Sequence, residues 1–548
     1  MEIVGLFLGY PVTSCLLCVL ALLLAWICFV KSHYSVFQRM GLPGPEPVFL
    51  MGNTLDFAKK LPLEVFKYWT KKYGHVYGFY EGLRPSVVVS CPDLAHQILV
   101  KHFNKFSARP VINPFTHEQE DLSLQNSSGD LWKRQRQAVA GGLSSGAIRQ
   151  MLPQICNMTN KMLESLGKTT EFNESGFFVD KIIECYSLDW FAHAALYYPT
   201  NAMADESDVM LRYMRASHES MSPDNAVSGL AKLFPLLTRL LKPLDKTHRQ
   251  VTQLMTQHAT TFVRSLQNDI TQFQKNNHKN IICQLIKHQE SSGTSPSQGK
   301  ASPCRETDEK QNVNHAQQSS RPSLKESEVV GEISGLVGGG VGPISSALTF
   351  CLYTLAVYPQ KAERVVREVD ALVFAKDVPS LEELNSLQYL DAFINETLRL
   401  FPVAPGVSRM CIEDCTVNDI PFSKGTVVRV MGSTMNCDQS YFDRPSEFLP
   451  ERFLQSDSDT APSSLGLHPL QKSAWIPFGL GPRMCVGQRL AQVVLKLSLV
   501  RILQEFNIRT SHLTQVPLEV ALRPFLVARD GVHVQMSRRK QNPMKSSG

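Results

Sequence analysis

One ten-residue stretch, FGLGPRMCVG at 478–487, constrains the fold of this chain more than any other. It places Cys485 in a loop with three glycines, and an apolar periodic segment at 488–506 follows at once and predicts a helix. A thiolate needs nearby positive charge and backbone N–H donors, which Arg483 and the start of a helix can supply. The stretch therefore predicts that Cys485 is a thiolate ligand.

The glycines of this stretch suit such a ligand. Gly479 and Gly481 permit a tight turn before the cysteine, and Gly487 leaves room for a flat cofactor against the chain. The alternative is a buried free cysteine in a glycine-rich loop, which is the usual state of an isolated cysteine. The ten-residue pattern as a whole favours the ligand.

With Phe478, Gly481, Arg483, Cys485 and Gly487 in place, the stretch resembles the haem-binding loop of the cytochrome P-450 superfamily. The resemblance implies a mainly α fold with small β-sheets and haem b as the cofactor. It also implies that Cys485 is the axial ligand of the haem iron and that Arg483 meets a haem propionate. A thiolate ligand favours cleavage of the O–O bond.

Two further motifs carry the same resemblance. ETLR at 396–399 places Glu396 and Arg399 on one helical face, and PERF at 450–453 offers Arg452. The resemblance implies a Glu–Arg–Arg cluster behind the haem, which is structural rather than catalytic. It is closest to the steroid- and drug-metabolising microsomal group and to thromboxane synthase.

Three more residues are implied to hold the cofactor. LWKRQR at 131–136 is similar to the family's helix that reaches a propionate, through Trp132 and Arg136. Arg409, in GVSRMC, is similar to an arginine that also meets a propionate. Each arginine could instead be an ordinary surface cation.

The start of the chain predicts a membrane anchor. Residues 12–30 contain no charge, which is enough for one transmembrane helix, and Lys31, His33 and Arg39 follow them. We therefore expect a signal-anchor at 1–31, a basic, proline-rich hinge at 32–47, and a single-pass protein of the endoplasmic reticulum whose catalytic domain faces the cytosol. The scattered cysteines fit a reducing compartment, and the net charge of +6 gives no case for nucleic acid.

The rest of the chain reads as one haem-thiolate domain at 48–538 with a short tail at 539–548. Short alternating segments at 75–82, 85–91 and 424–432 predict strands, whereas the patterns from Pro92 to His288 are mostly helical. Residues 290–322 are rich in serine, glutamine, proline and charge, which predicts a disordered insertion.

An apolar segment from about Val329 to Tyr358 predicts a long central helix, although GGGVGPISS at 338–346 lies within it. In the superfamily this helix passes close over the haem and carries an acid and a threonine that relay protons. Gly342 and Pro343 stand at those two catalytic positions here, so neither proton-carrying group remains. Pro343 also deprives the carbonyl of Gly339 of its donor and predicts a kink.

Three functions remain open. The first is a monooxygenase that receives electrons from an NADPH-cytochrome reductase and oxidises a lipophilic steroid, fatty acid or xenobiotic. The second is a haem-thiolate isomerase of an oxygenated lipid such as a prostaglandin endoperoxide, because Gly342-Pro343 is similar to the pair in prostacyclin synthase. The third is a haem-binding protein without turnover, against which the intact cysteine loop argues.

Candidate contact surfaces are less specific. Phe103–Phe115 and Leu230–Leu244 are candidate pocket or channel walls, and the second segment is either core or a membrane-touching patch. Lys472, Arg489 and Lys496 lie near the cysteine loop and could meet an acidic reductase.

Overall fold

The computed structural model describes residues 2–110, 121–222, 225–233, 237–268, 279–289, 323–372, 374, 376–454 and 469–539. The expected insertion at 290–322 and the tail from 540 onward lie outside the described residues. The helices are α1 Glu2–His33, α2 Val36–Arg39, α3 Thr54–Lys59, α4 Pro62–Tyr73, α5 Pro92–His96, α6 Gly129–Gly141, α7 Ser145–Phe172, α8 Asp180–Phe191, α9 Val209–Met221, α10 Ala226–Leu233, α11 Thr238–Leu241, α12 Lys246–Asn268, α13 Ile281–Lys287, α14 Glu326–Val357, α15 Pro359–Ala371, α16 Leu381–Asn385, α17 Gln388–Leu400, α18 Gly432–Asn436, α19 Pro469–Ala474 and α20 Gln488–Glu505.

The strands form small sheets beside these helices. They are β1 Val76–Glu81, β2 Arg84–Val89, β3 Phe177–Phe178, β4 Val407–Met410, β5 Cys415–Val417, β6 Ile420–Phe422, β7 Val427–Val430, β8 Phe506–Thr510, β9 Val520–Arg523, β10 Phe525–Ala528 and β11 His533–Arg538. One sheet has the order β1-β2-β7-β4, another β3-β11-β8, and two hairpins pair β5 with β6 and β9 with β10. In the four-stranded sheet only β2 and β7 run parallel.

The predicted fold class is confirmed: helices dominate, and the sheets are small. The three segments predicted as strands form β1, β2 and β7. The loop of Cys485 leads directly into α20, as the periodicity of 488–506 predicts.

The central helix α14 is not broken by its glycines. Its first turn is held because the Glu328 carboxylate accepts a hydrogen bond from the backbone N–H of Lys325 at 2.9 Å. It continues through Pro343 to Val357, and Pro359 then opens the next helix. Packing of α14 against α8, α9, α12 and α17 places it at the centre of the hydrophobic core.

Among the residues that the structure describes, two helices are long and apolar enough to cross a membrane. The span Cys15–His33 in α1 has a mean hydropathy of 2.4, and its leucines are exposed. The second is α14, most of which is buried within the protein, so it is a core helix. The N-terminal helix is therefore the candidate anchor.

The candidate wall segments are only partly described. Of Phe103–Phe115, residues 111–115 lie outside the described residues, and Phe106 is fully buried. In Leu230–Leu244, by contrast, the side chains of Leu240 and Leu244 are 74% and 61% exposed. The core interpretation of this segment is therefore wrong for these leucines.

Candidate functional site

The loop of Cys485 is closed by backbone hydrogen bonds. The N–H of Cys485 donates to the Phe478 carbonyl at 2.8 Å, and the N–H of Met484 donates to the Gly481 carbonyl at 2.9 Å. Gly481 has a φ of +76°, and a Cβ there would lie 2.0 Å from the carbonyl oxygen of Leu99. Only glycine fits this position, for both reasons.

The side chain of Cys485 keeps accessible surface, although protein atoms surround it densely. Burial raises the pKa of the Cys485 thiol, whereas the backbone N–H of Gly487 and the charge of Arg136 act to lower it. Gly487 is the N-cap of α20, so the donor comes from a helix start, as predicted.

Four arginines from separate parts of the chain meet beside Cys485. The charges of Arg109 and Arg136 both act on the thiol, and Arg483 and Arg409 lie close enough to Arg109 to feel its charge. Burial, followed by this mutual repulsion, lowers the pKa of Arg409 and of Arg483 to about 9. We call Arg109, Arg136, Arg409 and Arg483 the arginine cluster.

The arginine cluster fits the carboxylates of a haem. Atoms Nε and Nη2 of Arg409 and Nε and Nη1 of Arg483 are buried without a hydrogen-bond partner. Within the described parts of the chain, none of the four arginines forms an ion pair with a carboxylate. A buried charge without a partner costs several kcal/mol, and two propionates would supply the missing acceptors.

Two predicted cofactor residues shape this cluster from α6. The guanidinium of Arg483 lies over the ring of Trp132, 4.7 Å from its centroid, and Nη2 of Arg483 donates to the carbonyl of Ser127. Nη1 of Arg136 donates to the carbonyl of Met484 at 2.8 Å, which ties α6 to the cysteine loop. Trp132 therefore positions Arg483, and Arg136 positions the loop.

The sequence reasoning missed Arg109. Nη1 of Arg109 donates to the Gln125 carbonyl at 3.2 Å, and burial lowers its pKa while the charge of Cys485 opposes that shift. Arg109 stands in SARP at 107–110, outside the motifs that carry the family resemblance. The sequence around Arg109 shows only a cation followed by proline in an apolar segment. That pattern is common in loops and does not predict a cofactor contact.

The Glu–Arg–Arg cluster forms as the resemblance implies. The Glu396 carboxylate binds Arg399 at 2.8 and 2.9 Å and Nε of Arg452 at 3.1 Å, and Glu396 and Arg399 have no exposed surface. Arg399 also donates to the carbonyls of Asn436 and Pro445. These bonds join α17 to the segment before the cysteine loop, so the cluster is structural.

Gly342 and Pro343 lie inside α14. A Cβ on Gly342 would lie 2.7 Å from Cε1 of His218 and 3.1 Å from the ring of Phe525. Pro343 has no N–H, so the carbonyl of Gly339 lacks its usual helical donor. Neither residue carries a proton-transferring group.

Of the three cations predicted to meet a reductase, the prediction for Lys496 is wrong. Lys496 is only 4% exposed, and its Nζ forms an ion pair with the partly exposed Asp391 carboxylate at 2.7 Å. Lys472 and Arg489 are exposed, so they remain candidates.

Comparison with known proteins identifies the family of the chain. The family model described as Cytochrome P450 matches residues 42–536. Cytochrome P450 3A7 of Homo sapiens is 27% identical over 518 residues, covering 93% of each chain. Cytochrome P450 3A17 of Cavia porcellus is 28% identical over 542 residues, covering 94% of this chain and 95% of its own. Since the family model covers most of this chain, the chain belongs to the cytochrome P450 family of haem-thiolate enzymes.

Proposed function

We propose that this protein is a membrane-anchored monooxygenase that oxidises a lipophilic small molecule. One observation carries the proposal: an accessible thiol, Cys485, lies beside four arginines, and the two buried ones, Arg409 and Arg483, have no carboxylate partner among the described residues. This arrangement suits haem b, which supplies oxygen activation when it is bound through a thiolate. The similarity to cytochromes P450 of the 3A group supports the same class of reaction.

The chain's own residues have separate tasks in this proposal. The N–H of Gly487 stabilises the Cys485 thiolate, and Arg409 and Arg483 hold the propionates. Electrons would arrive from an NADPH-cytochrome reductase that docks near the exposed Lys472 and Arg489.

The anchor is proposed from α1. The span Cys15–His33 is apolar and exposed, and Lys31 at its end favours a cytosolic body. Trp26 of α1 contacts the ring of Phe49 at 5.8 Å, so exposed apolar surface continues from the anchor onto the body. Deletion of residues 1–31 should release the protein from endoplasmic reticulum membranes in alkaline carbonate extraction.

A second function is favoured by one observation, the replacement at Gly342-Pro343. Rearrangement of an endoperoxide needs neither dioxygen nor external electrons, so it would need no proton-carrying side chains at these positions. A haem-thiolate isomerase of an oxygenated lipid is therefore the alternative.

The deciding experiment uses full-length protein purified in detergent with haem bound. The thiolate-type CO difference spectrum is the entry check, and Cys485→Ala, which should lose that spectrum, is the control. A steroid panel is supplied with reductase and NADPH, and a prostaglandin endoperoxide is supplied without them. We expect product only with NADPH and dioxygen. Product from the endoperoxide alone would establish the isomerase and overturn the monooxygenase.

A further inference from the structure

One face of α14 borders an interior space. Gly339, Gly342 and Pro343 are spaced three and four residues apart, so they share a face of the helix. All three keep accessible surface, whereas Val337 and Val341 are completely buried on other faces. Because α14 runs through the core, accessible surface on it indicates a cavity rather than bulk solvent.

Polar side chains from two other elements fill the room that these glycines leave. Oε1 of Gln125 would lie 2.9 Å from a Cβ on Gly339. Cε1 and Nε2 of His218, on α9, would lie 2.7 and 3.2 Å from a Cβ on Gly342. The glycines are therefore needed here because these side chains approach the helix closely.

The imidazole of His218 is held in one orientation. Its Nε2 lies 3.0 Å from the Gly338 carbonyl, which can only accept, so Nε2 carries the proton. The ring of Phe525 contacts it edge-on, with centroids 5.6 Å apart. Burial lowers the pKa of His218, so the ring is neutral near pH 7. In that form Nδ1 is an acceptor, and it has no hydrogen-bond partner among the described residues.

The same face is connected to the arginine cluster. Gln125, which lies against Gly339, accepts a hydrogen bond from Arg109 through its backbone carbonyl at 3.2 Å. Arg109 in turn lies within the electrostatic reach of Cys485. The helix face that Gly339 shares with Gly342 is therefore linked through Gln125 and Arg109 to the surroundings of the thiol.

We propose that His218 determines substrate specificity by accepting, at Nδ1, a hydrogen bond from the hydroxyl group of a lipophilic alcohol. The inference rests on the proposed function, because it names the substrate class of that site. The ring of Phe525, which contacts His218, is apolar, so we expect the remainder of the substrate to be a hydrocarbon skeleton. A neutral acceptor selects donors: a ketone of the same skeleton cannot make this bond.

The test measures binding and needs no turnover. Soret-band titrations of the full-length holoprotein in detergent give Kd for matched pairs: 5α-androstan-3β-ol with its 3-one, 5α-androstan-17β-ol with its 17-one, and 1-dodecanol with dodecanal. We expect at least one alcohol to bind about tenfold more tightly than its carbonyl partner, which corresponds to about 1.4 kcal/mol.

The variants separate hydrogen bonding from packing. His218→Phe removes both nitrogens, and His218→Gln keeps a donor near Nε2 but no acceptor near Nδ1. Both variants should bring the ratio of the Kd values for the alcohol and its carbonyl partner close to one. The Kd values of the carbonyl compounds themselves should change less than about threefold. His218→Asn, whose amide lies near Nδ1, should keep part of the preference. His258→Gln, at an exposed position on α12, is the matched control and should keep the full preference for the alcohol.

Two results would overturn the proposal: no alcohol preference or no binding in any pair, or an unchanged preference in both His218→Phe and His218→Gln. The CO difference spectrum reports whether each variant has folded with haem. If His218→Phe has not folded with haem, His218→Gln alone carries the test. Absence of NADPH-dependent product would count against the proposed monooxygenase alone, because the ratio of Kd values is read without electrons.

Discussion

The buried carboxyl group of Glu332 makes the stability of the central helix dependent on pH. Glu332 lies on α14 and is 1% exposed, and its carboxylate accepts a hydrogen bond from the N–H of Leu124 at 2.6 Å. Burial raises the pKa of Glu332 from 4.5 to about 7, although the hydrogen bond from Leu124 acts in the opposite direction. The perturbation that we consider is Glu332→Gln.

The sign follows from proton binding. The folded pKa of Glu332 is higher than the unfolded one, so between pH 4.5 and about 7 the folded state keeps a proton that the unfolded state loses. The protonated carboxyl group of Glu332 therefore stabilises the folded state fully below pH 4.5, and this stabilisation is lost as the pH rises to about 7. The pKa difference of 2.5, from 4.5 to about 7, corresponds to about 3 kcal/mol.

Glutamine has the same shape, stays neutral and can still accept from Leu124. We therefore expect Glu332→Gln to be more stable than the wild type by up to about 3 kcal/mol at pH 8, and nearly equal to it at pH 4.5. For a chain of 548 residues this raises the unfolding midpoint by roughly 3 °C. The measurement is thermal unfolding followed by far-ultraviolet circular dichroism at both pH values.

A neighbouring glutamate on the same helix is the matched control. Glu328 pairs with Arg134 at 3.1 Å, so Glu328→Gln leaves that arginine without its carboxylate and should lower the midpoint at pH 8. A Glu332→Gln variant that is less stable than the wild type at pH 8, or that gains equally at both pH values, would refute the reasoning.

Three further predictions concern the site and its support. Gly481→Ala should prevent haem incorporation, read from the CO difference spectrum, because its Cβ would meet the Leu99 carbonyl oxygen at 2.0 Å; normal incorporation would contradict this. Glu396→Gln should lower the free energy of unfolding by about 3–5 kcal/mol in chemical denaturation, because two buried cations lose their partner; a loss below about 1 kcal/mol would exclude a structural role. Arg489→Glu should raise the KM for the reductase, whereas Lys496→Gln should lower the unfolding midpoint and leave that KM unchanged; the reverse pattern would place the reductase elsewhere.

Local patterns predicted the elements that depend on neighbours in the chain. Alternation predicted β1 and β2, and apolar periodicity predicted α14 and α20 within a few residues of their bounds. The cysteine loop was predictable because its turn and its N–H donor lie within ten residues, whereas the charges that act on the thiol come from Arg136 and Arg109 rather than from Arg483. Motif spacing also predicted the cluster of Glu396, Arg399 and Arg452.

Contacts between distant elements were not predictable in this way. Arg109 reaches the cluster from a loop, and His218 reaches α14 from α9; neither carries a local mark that distinguishes it from an ordinary arginine or histidine. The error on Lys496 had a signal that was overlooked. Leu495 and Leu497 flank it in an almost continuous apolar run, which favours a buried helix and therefore a paired lysine.

The glycines of α14 are explained only by such contacts with distant elements. Relative to alanine, Gly338, Gly339, Gly340 and Gly342 cost the helix about 4 kcal/mol in total, and Pro343 about 3. The helix persists because most of its residues are buried, and full burial of one valine or leucine contributes about 1.5–3 kcal/mol. Packing therefore offsets the unfavourable helix propensity, and the space that it leaves is taken by Gln125 and His218. In this chain the central helix carries no polar side chain at 342 or 343, while neighbouring elements bring polar groups to the same face.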